Sequence, residues 1–132
     1  MSLSAKQVIA IEETPFPSMV AALAKPGSAI RDSLDPSRCH LLHMVMGISG
    51  ESGELLDAIK KYVIYNKSLD ITNVIEELGD LEFYLEGLRA ELGITREQTL
   101  RANKMKLLGK RYASGAYSDD QAITRADKVD AE

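Results

Sequence analysis

A chain of 132 residues with 45% hydrophobic side chains has the length and composition of one domain with a core, which excludes disordered and collagen-like classes. A net charge of −4 at neutral pH argues against a dedicated nucleic-acid binder, which would carry a basic face. The longest apolar runs are too short to cross a bilayer, so no membrane partner is expected either. The first residues lack a basic region followed by an apolar stretch, which predicts no signal peptide. The lone Cys39 cannot staple the monomer; it reads as a small core-filling residue in a reducing compartment, and the expected location is cytoplasmic.

The first helical segment runs from about Ser4 to Glu13, where Pro15 and Pro17 interrupt it. Residues 14–37 then read as turns with room for one short helix, broken again at Pro26-Gly27. Asp35-Pro36 predicts the start of a long helix reaching about Tyr65, with Asp35 as its cap. Its residues Leu41, Met44, Val45, Ile48, Leu55, Leu56, Ile59 and Val63 fall on one broad side. Asp70 caps a third segment, Ile71 to Leu92, with an apolar stripe of Val74, Leu78, Leu81, Leu85, Leu88 and Leu92, stopped by Gly93. Thr95 with Gln98 three residues on predicts a capped fourth helix to about Leu108 or Gly109. Residues 113–132 turn to Gly, Ser, Asp and Ala and read as a flexible tail, or an arm that orders on a partner. No alternating strand pattern survives, so the predicted class is all-α, with a single domain over residues 1–112.

Charge is segregated along the chain. From Glu51 to Glu91 there are ten acids against four bases; from Arg96 to Arg111 there are six bases against one acid. The acids include two pairs at i, i+3, Glu51/Glu54 and Glu77/Asp80, and each pair projects from one helix face beside the apolar stripe. Packing the two stripes together would bring four carboxylates toward one another. At an effective dielectric near 20, each like-charged pair ~4 Å apart costs roughly 4 kcal/mol, so a cation or bound protons must compensate. Hard oxygen ligands without suitably spaced Cys or His favour Mg²⁺, with Mn²⁺ as a substitute. Gly53 and Gly79, each directly before the second acid of a pair, suggest close helix approach or room for a ligand, since a mid-helix glycine costs about 1 kcal/mol relative to alanine. His40 and His43 lie upstream of Glu51 on the same face, and Tyr84 follows Asp80 by one turn, where its ring could stack on a base.

At these residues the sequence resembles the MazG-like branch of the all-α nucleoside triphosphate pyrophosphohydrolases. The similarity spans roughly residues 40–112. It rests on Glu51-Ser-Gly-Glu54-Leu-Leu-Asp57-Ala-Ile-Lys60-Lys61, on Ile75-Glu76-Glu77-Leu-Gly-Asp80, and on Ala102-Asn103-Lys104-Met-Lys106 leading to Arg111-Tyr112. The resemblance implies a four-helix-type bundle completed by formation of a homodimer or homotetramer. It also implies that Glu51, Glu54, Glu77 and Asp80 hold Mg²⁺, and that the substrate is a nucleoside triphosphate cleaved to a monophosphate and pyrophosphate. Lys60, Lys61, Tyr84, Asn103, Lys104, Lys106 and Arg111 would then contact substrate. Many relatives carry a further Glu directly before the position of Glu51. Here it is Gly50, which leaves Glu76 or Asp57 as candidates for activating the water. The same departure sustains a different reading, a regulatory or scaffold protein that keeps the fold without strong catalysis; a helical metal carrier is a third, but has no need of the basic segment.

Overall fold

The computed structural model describes residues 2–128 and is helical throughout, with no strand among the described residues. None of these helices is long and apolar enough to cross a membrane. The chain divides into two compact units, one ending at Asp35 and one beginning at Pro36.

The first unit contains α1 (Ala5–Glu12), α2 (Phe16–Leu23) and α3 (Gly27–Arg31). Ser4 and Gln7 form a reciprocal capping box at the start of α1. Where one short helix was expected there are two, because the prolines act as starts and not only as breaks. Pro15 and Pro26 sit at the N-cap positions of α2 and α3, and Pro17 lies in the first turn of α2, where a missing N–H costs nothing.

The second unit is built on α4 (Pro36–Val63) and α5 (Ile71–Leu92), followed by α6 (Arg96–Lys106). Local chemistry sets their ends. Asp70 accepts a hydrogen bond from the Asn73 backbone N–H at 3.0 Å and so caps α5; Gly93, at φ 64°, closes it in the left-handed conformation. Thr95 and Gln98 form the expected capping box, with bonds of 2.7 and 3.1 Å. Asn66, at φ 51°, turns the chain out of α4.

Helices α4 and α5 pack antiparallel. Ser37 near the start of α4 hydrogen-bonds Glu91 near the end of α5. Further along, Met44 meets Gly87 and Gly47 meets the ring of Tyr84. A Cβ at Gly47 would overlap the Tyr84 ring, and one at Gly87 would overlap the Met44 sulfur. The close approach therefore runs through Gly47 and Gly87, not through Gly53 and Gly79, whose added Cβ would meet nothing. Buried Met44 and Ala58 mark the core. Arg89 is also buried and is held by Glu86 at 2.8 Å and Glu82 at 3.4 Å, while Arg96 at the start of α6 reaches the same Glu82 at 3.8 Å. Cys39 is exposed on α4 and fills no core.

Beyond α6 the helix widens into a π-helix, Leu107–Arg111, and residues 113–128 do not trail away. A short helix α7 (Asp119–Thr124) and a 3₁₀ turn (Ala126–Lys128) fold back toward it. The Arg111 guanidinium grips the Asp127 carboxylate through two bonds of 2.6 and 2.7 Å, and the Tyr112 and Tyr117 rings lie 5.8 Å apart. This part of the expected tail is ordered on its own chain; the last four residues lie outside the described ones.

The glycine contacts give opposite expectations. Gly47→Ala should destabilise the protein by about 1–3 kcal/mol, because the rigid Tyr84 ring must move. Gly79→Ala should stabilise it by up to about 1 kcal/mol, because only backbone freedom changes. Urea denaturation of the two variants checks both signs; equal effects would mean that Gly47 is not a packing contact.

Candidate metal centre

The antiparallel register that puts Gly47 against Tyr84 puts the next turn of α4 against the preceding turn of α5. Glu51 thereby meets Glu77 and Asp80, and ligand oxygens of all three lie within 4.8 Å of one another. Glu77 is 6% exposed, Glu51 is half-buried and Asp80 faces solvent. This donor set of hard carboxylate oxygens around one buried member can hold a metal ion, and its chemistry fits Mg²⁺ or Mn²⁺ better than a metal that seeks sulfur or imidazole. Glu54, the fourth acid of the sequence motif, is exposed one turn further along α4 and lies outside the converging trio.

The electrostatics are those of a site that wants positive charge. The Glu51 carboxyl is pushed above its ordinary range, first by partial burial, then by the charges of Glu54 and Asp80 and by a hydrogen bond with Glu77. A cation among these carboxylates would offset the same mutual repulsion. Glu77 Oε1 also accepts a 2.7 Å hydrogen bond from the side-chain amide of Asn73, one turn earlier on α5.

Beside the trio opens a pocket of about 300 Å³ lined by Gly50, Gly53, Glu54, Asp57, Lys61, Asn73 and Glu77. Lys61 and Asp57 are paired across one helical turn at 2.8 Å; the contact holds the carboxyl of Asp57 below its usual range and the ammonium of Lys61 above. At Gly50 an added Cβ would meet nothing, so the missing acid leaves open space on this wall.

The other residues singled out by sequence are distributed more widely. Lys60 places its Nζ 5.5 Å from the centroid of the Tyr65 ring. Glu76 is exposed and is not among the residues lining the pocket. Tyr84 packs into the α4–α5 contact, edge-on to His43 and Phe83 at 6.0 and 5.2 Å, which engages its ring in the fold instead of offering it to a base. Asn103 and Lys104 are exposed on α6. Lys106 lines a separate cavity of about 440 Å³ with Met105, Gly109, Lys110 and Asp127. Arg111 is engaged by Asp127, so its fork is filled by a carboxylate of the same chain and braces the hook instead of facing an open pocket. Asn73 was not among the expected site residues. The signal for it was an amide four residues before a buried acid, which has meaning only once Glu77 is known to be buried.

No family model matches the chain, and neither does any curated protein or solved structure.

The raised Glu51 carboxyl makes a pH prediction. Its stabilising contribution is fully present below the ordinary value of 4.5 and is lost as pH rises through the raised value. Above that window Glu51 is charged and repels its acidic neighbours, so a cation should matter most there. Magnesium should therefore raise the melting temperature more near neutrality than near pH 4, as read by circular dichroism. An equal increment at both would disconnect the ion from these carboxylates.

Proposed function

We propose that this chain is a magnesium-dependent nucleoside triphosphate pyrophosphohydrolase of the MazG-like kind, acting at the α4–α5 pocket. The observation that carries the reading is the convergence of Glu51, Glu77 and Asp80 at the edge of a polar pocket that also contains a lysine. Glu51, Glu77 and Asp80 would hold the ion, and Glu54 would face it from the pocket wall. A bound magnesium would neutralise phosphate charge and align the triphosphate for attack. Lys61 would leave Asp57 and meet a phosphate oxygen, an exchange of one anion for another. Asp57, so released, would take a proton from the attacking water; Glu76 lies outside the lining. Water adds at the α-phosphorus, the bond to the bridging oxygen of the β-phosphate breaks, and pyrophosphate departs.

In an assay of pyrophosphate release over a panel of nucleoside triphosphates, Glu77→Gln and Asp80→Asn should each lower turnover by at least a hundredfold with helix content unchanged. Wild-type rates in both would refute the reading. No magnesium-dependent release from any nucleotide in the wild-type chain would favour the regulatory alternative, which the open space at Gly50 and the engaged Arg111 support.

The same reading includes a second copy of the chain. At about 100° per residue, Leu42, Val45, Leu56, Ile59 and Val63 share one flank of α4, away from the line that meets α5, and all are exposed. Ile71, Leu78 and Leu92 are exposed at a matching offset on α5. Because the helices are antiparallel, the two flanks fall on one side of the pair, where the Arg89–Glu82 ion pair separates Leu78 from Leu92 in an otherwise apolar face. Gly50, Glu54, Asp57 and Lys61 lie on the opposite flank of α4, so a copy packed on the apolar face would leave the pocket mouth open. A self-complementary face of this kind closes with two-fold symmetry. Light scattering should give at least twice the 14.5 kDa chain mass at micromolar concentration; a stable monomer would overturn this part.

A further inference from the structure

Glu77 is the one ligand of the trio that solvent cannot service. Being 6% exposed, it depends on protein donors for the orientation of its carboxylate. Asn73 supplies one: its Nδ2 donates to Glu77 Oε1 at 2.7 Å in a part-buried setting. Asn73 is itself fixed, because its backbone N–H is bonded to Asp70 at the head of α5 and its side chain is half-buried against the pocket. The result is a relay from the helix cap through an amide to a buried carboxylate. Helix propensity does not account for this residue. Asparagine is a poor helix former because its side chain competes for nearby backbone groups, and here the amide instead donates to an acid one turn on.

We infer that Asn73 is a positioning residue of the metal centre, holding the Glu77 carboxylate in the plane from which it faces Glu51 and Asp80. The inference rests on the metal reading given above. Without the amide, the Glu77 side chain remains in place as a group but regains rotation about its terminal bond. Ligation by it then carries an ordering cost that the folded chain otherwise meets in advance. Groups that orient a metal ligand in this manner typically contribute 10–100-fold in metal affinity.

The test uses the full chain and Mn²⁺ alone as probe, followed by isothermal calorimetry and by the electron paramagnetic resonance signal of free Mn²⁺. The expected result for Asn73→Leu, which keeps side-chain shape and removes the donor, is a loss of Mn²⁺ affinity of about tenfold or more. Its metal-free melting temperature should fall, since a buried carboxylate oxygen loses its donor, so affinity is read well below that temperature. Asn73→Ala, measured well below its own melting temperature, gives the same readout should the leucine variant fold poorly. Wild-type Mn²⁺ affinity in the folded variant overturns the inference, and so does a lowered melting temperature with affinity intact, which marks a purely structural amide. Glu77→Gln separates the two levels. If it abolishes Mn²⁺ binding while the Asn73 variants bind normally, only the role of Asn73 falls. If it binds Mn²⁺ like the wild type, the metal reading itself falls.

Discussion

The close antiparallel contact between α4 and α5 is the constraint on which the rest of the second unit depends. Two glycines, Gly47 and Gly87, let the helices approach until the Tyr84 ring and the Met44 thioether fill the gap between them. Helical phase then does the rest. One turn beyond Gly47 on α4 is Glu51, and one turn before Tyr84 on α5 is Asp80, with Glu77 a further turn back. A contact that is apolar at Met44 and Gly87 becomes anionic at Glu51, Glu77 and Asp80 without any change in helix geometry. Burying Glu77 is therefore a consequence of the packing, and the packing is stable only if that charge finds a compensating partner.

That compensation comes in layers. Asn73 donates to one oxygen of Glu77, a hydrogen bond links Glu77 to Glu51, and Lys61 with Asp57 places a paired charge on the pocket wall. The acids at the other end of α5 show the contrast. Glu82 and Glu86 are answered directly by the buried guanidinium of Arg89, so that region is electrostatically satisfied and has a structural role. Acids of the same composition on one helix thus divide into a braced set and an open set, and the open set is the one beside a pocket.

What was legible in the sequence follows the range of the interaction concerned. The ends of α5 and α6 were readable because Asp70, Gly93, Thr95 and Gln98 act on backbone groups within a few residues. The acid pairs were readable because i, i+3 spacing fixes a shared face. Which members converge was not, because that depends on how the helices are rotated about the Gly47 and Gly87 contacts. Gly53 and Gly79 sit beside the acids in sequence, yet they face open space. The broad apolar side of α4 likewise concealed two faces, one carrying Met44 toward α5 and one carrying Leu56 and Val63 to the surface. Proline misled in a different manner: Pro15 and Pro26 were read as interruptions, whereas the residues after each begin a short helix.

The C-terminal hook shows the same limit and adds a consequence for the basic segment. Composition predicted mobility after residue 112, because no local signal reveals an ion pair that spans sixteen residues. The Asp127 side chain is fully shielded from solvent and its carboxyl is pulled down to about 2, mainly by its bonds to Arg111. It therefore stays ionised well above that value, and Arg111 keeps its counter-charge there. The six bases of residues 96–111 are accordingly not one uniform cationic surface. Arg96 is directed to α5 and Arg111 to the hook, which leaves Arg101 and Lys104 on the exposed surface of α6 and Lys106 and Lys110 at a cavity wall. The basic segment thus takes part in the fold through Arg96 and Arg111.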